Sequence, residues 1–302
     1  MSFGLNRTFF SAIVSVLLGA AVAAGLPAVA LAQAGQAPAA RSPAVASAQA
    51  GQAYVPPRTA DGQPDLQGVW RVWNLAKYDV EPHGASQGVP AGLGVIVDPA
   101  DGLIPYKPWA LARKKENVAN SRITYPYDPL KNADPLARCY IPGVPRITYL
   151  GWPFEIIQTK DFVGIVYEWM HHRRMIPLTD REVPEGIDLW GGVSRGRWDG
   201  NTLVVKVTNL SDRTWFDMAG NFHSKDVQVE ERYTPDGPDT LDYRVTITDP
   251  NVFTRPWTMR MPIQRQRDVR LLEYECHDLL EESGVPLTWE RDWDKPLVIP
   301  KE

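Results

Sequence analysis

Gly151-Trp-Pro-Phe-Glu-Ile-Ile-Gln158 and Phe162-Val-Gly-Ile-Val-Tyr-Glu-Trp169 flank Lys160-Asp161. Two short runs rich in β-branched and aromatic residues around a polar pair read as a β-hairpin. The pattern repeats downstream. Arg197-Trp198 and Leu203-Val-Val-Lys-Val207 flank Asp199-Gly200, a dipeptide suited to the mirror-image turn of a tight hairpin. Further strands are expected at Val227 to Tyr233, Leu241 to Ile247, Trp257 to Ile263 and Val269 to Cys276. They are separated by Pro235-Asp-Gly-Pro238, Asp249-Pro-Asn251 and a polar turn from Gln266 to Asp268. An antiparallel meander this long has an apolar face to hide and edges to protect, and a rolled or closed sheet does both. The expected fold class is therefore mostly β: an antiparallel β-barrel or strongly rolled sheet with one helix and long rim loops.

Upstream, Leu66-Gln-Gly-Val-Trp-Arg-Val-Trp73 reads as the first strand, and its Gly68-Val-Trp70 resembles the opening of lipocalin-type barrels, where the Trp closes the barrel floor. From Asn74 to Ile104 the chain is irregular and rich in Gly and Pro. Pro108 opens the one helix, which ends near Asn120. Its Arg113-Lys-Lys115 run reads as a solvated face. Tyr125 to Arg146, with five prolines, completes the rim loops.

The N-terminus carries a processing signal: Arg7 as the positive region, Phe9 to Ala24 as the apolar region, and Ala30-Leu-Ala32 as the cleavage pattern. The expected organisation is a signal peptide over 1–32, a flexible Ala/Gln/Pro-rich linker over 33–53, and a single β-barrel domain over 54–302. This implies a periplasmic or secreted protein with no stable membrane insertion after cleavage. A net charge of −4 offers no basic footprint for nucleic acid. Cys139 and Cys276 are the only cysteines, and an even count in an oxidising compartment favours one disulfide over two buried thiols.

Strand alternation selects the candidate site residues. Val227, Val229, Glu231 and Tyr233 share one face, and the same phase carries back to His223. An inward Glu231 is either a proton acceptor or half of a buried ion pair with Arg255 or Arg174. In Glu168-Trp-Met-His-His-Arg-Arg174, strict alternation groups Glu168, His172 and Arg174 on one face and Trp169, His171 and Arg173 on the other. Glu, His and Arg in one cavity would supply a proton acceptor, a proton shuttle and an anion clamp. The candidate catalytic residues are thus Glu168, His171, Arg174, His223 and Glu231. Trp169, His172, Tyr233, Arg255 and Trp257 are the candidate ligand contacts, drawn from a chain rich in aromatic residues. The His and Glu spacings match no strong zinc pattern, and no nucleophile elbow, phosphate loop or dinucleotide fingerprint occurs. Neither metal nor cofactor is expected.

With these residues in view, the chain resembles a large family of exported soil- and water-bacterial proteins. The resemblance rests on Pro57-Arg-Thr-Ala-Asp-Gly-Gln-Pro-Asp-Leu-Gln-Gly-Val-Trp70, Ala137-Arg-Cys-Tyr-Ile-Pro-Gly-Val-Pro-Arg146 and Tyr167-Glu-Trp-Met-His-His-Arg-Arg-Met-Ile176. It continues through Gly196-Arg-Trp-Asp-Gly-Asn-Thr-Leu-Val-Val205, His223-Ser224, Glu231-Arg-Tyr233, Thr254-Arg-Pro-Trp-Thr258 and Leu272-Glu-Tyr-Glu-Cys276. The family pattern repeats Glu168, His171 and Arg174, which favours His171 over His172 and implies a bulge or strand end there. The chain departs from the pattern at Asn201, where the family shows Asp, and at His277, where it shows an acidic residue. The resemblance brings no activity with it. The residues point to an exported enzyme using general acid/base chemistry (lyase, isomerase, cyclase or hydrolase) on a small, ring-bearing organic substrate bound inside the barrel. The alternatives are a non-catalytic periplasmic binding protein for a hydrophobic small molecule, and an envelope scaffold tethered by the N-terminal segment.

Overall fold

A computed structural model describes residues 54–86, 88–119, 121, 134–180, 186–282 and 299–300. The expected signal peptide and linker lie outside these residues, as does most of the stretch from Tyr125 to Asp134. Ten strands form one antiparallel sheet: β1 (Gly68–Arg71), β2 (Ile96–Asp98), β3 (Phe154–Gln158), β4 (Phe162–Tyr167), β5 (Arg173–Pro177), β6 (Val193–Asp199), β7 (Thr202–Thr208), β8 (Gln228–Gly237), β9 (Thr240–Thr248) and β10 (Trp257–Arg265). Nine of them follow the order β5-β4-β3-β1-β10-β9-β8-β7-β6, and β2 adds to β10. The sheet is nearly closed. Its two ends, β5 and β6, meet through side chains: Arg174 donates to Ser194 at 3.0 Å, and a Cβ on Gly196 would lie 2.8 Å from Ile176 and 2.9 Å from Leu178. Glycine at 196 is what lets the two strands approach this closely.

The alternating pattern explains the barrel. Tyr233, Tyr243, Val245, Ile247, Trp257, Met259 and Ile263 are all fully buried, while Glu230 and Arg232 on the opposite face of β8 pair with each other in solvent at 3.6 Å. Each large apolar side chain removed from water contributes ~1.5–3 kcal/mol. Trp70 is buried near the floor; its indole donates to the Leu66 carbonyl at 2.8 Å, and the Arg265 guanidinium covers its ring.

Tight turns cluster at one end of the barrel. Lys160-Asp161 turns β3 into β4, as expected, with Thr159 donating to the Phe162 carbonyl at 2.9 Å. Asp199 pairs with Thr202, so the β6–β7 loop is Gly200-Asn201, one residue later than the sequence suggests. Gly200 takes the positive φ of 59° that this turn needs. β8 runs through Pro235, which the sequence assigns to a turn. The ladder with β7 ends at Tyr233, so the missing Pro235 N–H costs no strand partner on that side.

The long connections gather at the other end, as a rim. They include α1 (Pro108–Ala119), matching the expected helix, and the segments 72–95, 134–153, 209–227 and 249–256. Residues 269–276 are not a strand: apart from an isolated bridge between Tyr274 and Trp169, this stretch is irregular and leads into a short helix α2 (Cys276–Glu282). Its apolar residues do not alternate inward; Val269 and Leu272 are exposed. The Cys139–Cys276 disulfide is present, with Cα atoms 5.4 Å apart.

Candidate functional site

The inward column of β8 meets that of β5 across the near-closure of the barrel. Glu231 is fully buried and receives hydrogen bonds from four groups. Oε1 accepts from Arg174 Nη1 at 3.2 Å, the Tyr233 hydroxyl at 2.9 Å and the Tyr243 hydroxyl at 2.6 Å, while Oε2 accepts from Arg174 Nη2. Tyr167 stands beside Arg174 Nη1 at 3.5 Å. Of the two readings of Glu231, the buried ion pair is the arrangement found, with Arg174 and not Arg255 as partner. Burial disfavours the Arg174 cation, but the Glu231 carboxylate together with Tyr167 and Tyr233 outweighs it and holds the guanidinium well above its ordinary pKa. Burial, then Glu231, push the Tyr233 and Tyr243 phenols well up. Three donors of the protein itself meet Oε1 and one meets Oε2, and this side-chain network lies in the barrel interior.

The remaining candidates disperse. Arg255 lies outside the barrel, exposed and paired with Asp98 at 2.9 and 3.1 Å. Arg255→Ala is expected to leave the melting temperature unchanged within error, because both partners are solvated; differential scanning calorimetry checks this. Trp257 is core, edge-on to Phe216 and Phe253 at 5.4 and 5.7 Å. His223 is buried, with Nδ1 donating to the Ser224 carbonyl at 2.8 Å and Nε2 beside the Thr214 hydroxyl at 2.7 Å. Burial lowers its pKa, so the ring is held neutral. His172 stacks on Tyr167 and leans on Gly191, where a Cβ would lie 3.0 Å from its Nε2. Burial, then the cations Arg174 and Arg173, lower its pKa to about 4.

His171 behaves differently because it does not sit on a strand. β4 ends at Tyr167 and β5 starts at Arg173; Met170 and His171 form the two-residue turn between them, with φ of 51° and 49°. His172 closes the turn by donating to the Trp169 carbonyl at 3.1 Å. Two successive left-handed residues that are neither Gly nor Asn are costly. The turn puts the His171 ring, about half exposed, against Glu275, with Nδ1 3.1 Å from Oε1. Glu168 lies just before the turn and accepts from the Leu272 amide at 3.0 Å. Trp169 is buried behind it, and Trp152, Trp169 and Tyr274 pack as a triangle of rings with centroids 5.1, 5.0 and 4.7 Å apart.

The rim also holds a carboxylate that sequence reading missed. Asp217, fully buried, accepts from the Val80 amide at 3.0 Å, from Asn221 Nδ2 at 2.6 Å and from the Asn221 amide at 3.2 Å. Asn221 Nδ2 also reaches Asp79 at 3.1 Å. Burial, then the neighbouring Asp79 carboxylate, push the Asp217 carboxyl up to about 8. The signal was a lone acid inside the apolar run Trp215-Phe-Asp-Met-Ala219.

A rim cleft of about 470 Å³ lies beside the β7–β8 connection, lined by polar groups including Asp188, Asn209, Lys225 and Asp226. It shares no lining residue with the Glu231 network and is not the apolar chamber a hydrophobic carrier needs. Among the described residues, no group of three or more His, Cys, Asp or Glu side chains converges to hold a metal ion. Comparison with protein-family models and with curated proteins finds no match for this chain.

Proposed function

We propose that the protein is an exported enzyme that moves a proton on a small, ring-bearing organic substrate at the rim of the barrel. His171 is the proton-transfer group and Glu275 the carboxylate that orients it. The observation that carries this reading is the strained turn of Met170 and exposed His171, with the His171 ring resting on a carboxylate. Strain of this kind persists where the surroundings enforce it, and it concentrates at working sites. With Nδ1 turned to the Glu275 carboxylate at 3.1 Å, Nε2 is the nitrogen left to take a proton from substrate. The half-buried rings of Trp152 and Tyr274 pack on Trp169, and Tyr274 immediately precedes Glu275 in the chain, so aromatic surface accompanies the pair. The disulfide fits an oxidising, extracytoplasmic compartment. Lyase, isomerase, cyclase and hydrolase chemistries all share such a proton transfer.

In this reading the Glu231–Arg174 network fixes β5 and β8, and so the turn that leads into β5, without touching substrate. The test is deuterium incorporation from D2O into a panel of ring-bearing ketones and aryl-substituted acids, followed by proton NMR. Wild-type protein is expected to accelerate exchange for at least one panel member. His171→Gln should lose about 10²–10⁴-fold of that rate, the usual contribution of a positioned acid/base, and Glu275→Gln should lose less. No exchange by wild type, or full exchange by His171→Gln, would sink the proposal.

A further inference from the structure

Glu275 reaches His171 on a segment that the sheet does not hold. Residues 268–276 run from Gln266, which donates to the Val69 carbonyl at 2.8 Å, to Glu168, whose carbonyl accepts from the Tyr274 amide at 3.3 Å. Between those points Val269 and Leu272 are exposed. Near Glu275 the segment is attached through loop contacts. The Leu272 amide donates to Glu168 at 3.0 Å, the Met170 amide donates to the Tyr274 carbonyl at 3.1 Å, and the Cys276 amide faces Met170 Sδ at 3.3 Å. Tyr274 adds its ring to Trp152 and Trp169. Ordering one residue costs about as much as one hydrogen bond contributes net, and an irregular segment outside the sheet leaves part of that cost to be met. The covalent link, one residue beyond Glu275, supplies the remainder: Cys276 is tied to Cys139 in the segment 134–153.

We propose that the Cys139–Cys276 disulfide is the device that seats Glu275 on His171, making the rim site redox-gated. The site is assembled with the bridge closed and taken apart when both cysteines are thiols. The gating of activity rests on reading His171 and Glu275 as the proton-transfer pair; the release of the strap does not. A thiolate of an external dithiol attacks one sulfur of the bridge and expels the other as a thiolate, which takes up a proton. The second thiol then attacks the mixed disulfide. Two electrons pass to the bridge, the reductant leaves as its own disulfide, and Cys139 and Cys276 become thiols. Both cysteines are buried, so exchange waits on opening of α2, whose His277, Asp278 and Leu279 are exposed.

The experiment is amide hydrogen exchange by mass spectrometry on the mature chain. It compares the oxidised protein, the dithiothreitol-reduced protein and Cys276→Ser, with thiol labelling to verify that the bridge is open. Peptides covering 268–276 are expected to exchange at least tenfold faster once the bridge opens, while peptides of β7 to β10 keep their protection. Proton-transfer activity should fall to the level of Glu275→Gln. Unchanged protection of 268–276 would overturn the inference. So would equal loss of protection throughout the barrel, since the bridge would then be a general staple. If Cys276→Ser does not fold, the reduced wild-type protein decides. If His171→Gln keeps full activity, the proton-transfer reading fails while the exchange data still decide whether the bridge seats the strap.

Discussion

Glu231→Gln is expected to destabilise the barrel by about 3–5 kcal/mol, the usual consequence of removing one partner from a buried ion pair. The amide leaves the fully buried Arg174 guanidinium uncompensated and sets an NH2 group or a single oxygen against the Tyr233 and Tyr243 hydroxyls, both of which donate to Oε1. No water reaches the gap, because Glu231, Tyr233 and Tyr243 are all fully buried. Urea denaturation should show a lower midpoint with little change in slope. Replacing both charges, as in Arg174→Met with Glu231→Leu, should cost less than the sum of the single changes, since no charge is then stranded. An unchanged midpoint for Glu231→Gln would mean that the carboxylate is not committed to Arg174. A carboxylate used as a catalytic base would give the opposite pattern, with the fold intact and turnover lost.

Alternation made the inward phase of Glu231 and Tyr233 legible, because β8 is regular and a period of two has one solution when valines share the face. The partner was legible only as an alternative. Arg174 and Glu231 stand on β5 and β8, far apart in the strand order, and the near-closure of β5 on β6 brings them together. That closure depends on Gly196 and Ser194, which carry no periodic signal. Alternation failed at His171 for a local reason: Met170 and His171 turn left-handed, so faces assigned through them swap beyond the turn. The strand end expected there is found as the turn at Met170 and His171, which periodicity did not signal. Glu275 was missed because Leu271-Leu-Glu-Tyr-Glu-Cys276 reads as a strand, whereas aromatic packing and a disulfide dock it over the rim. Asp217 was missed because irregular loops offer no period to read.

Asp217 makes the second large prediction, a change in how stability responds to pH. Its unfolded carboxyl titrates near 3.8, whereas in the fold burial and Asp79 push it up to about 8. The native state therefore binds this proton more tightly than the unfolded chain does. The sign follows: the contribution of Asp217 is full below about pH 4, declines as pH rises through the window up to about 8, and is lost above it. At ~1.4 kcal/mol per unit, the swing is about 6 kcal/mol at most. Nearby charges bear on the same window. The Arg146 cation and the hydrogen bonds from Asn221 and Val80 oppose the rise. Lys114 feels both Asp79 and Asp217, and Tyr149, buried, and Tyr106, partly buried, are themselves pushed well up, by burial first and then by Asp217. Asp79 is raised too, chiefly by burial, with Glu81 adding to the rise and Lys114 and His83 opposing it. Asp217→Asn removes the titration while keeping an acceptor for the Val80 amide. Its stability relative to wild type should therefore rise steadily from pH 4 to pH 8 and level off beyond, as measured by denaturant midpoints across that range. Parallel pH profiles for the two proteins would show that Asp217 is ionised throughout, held by its three hydrogen bonds and Arg146 against the pull of burial.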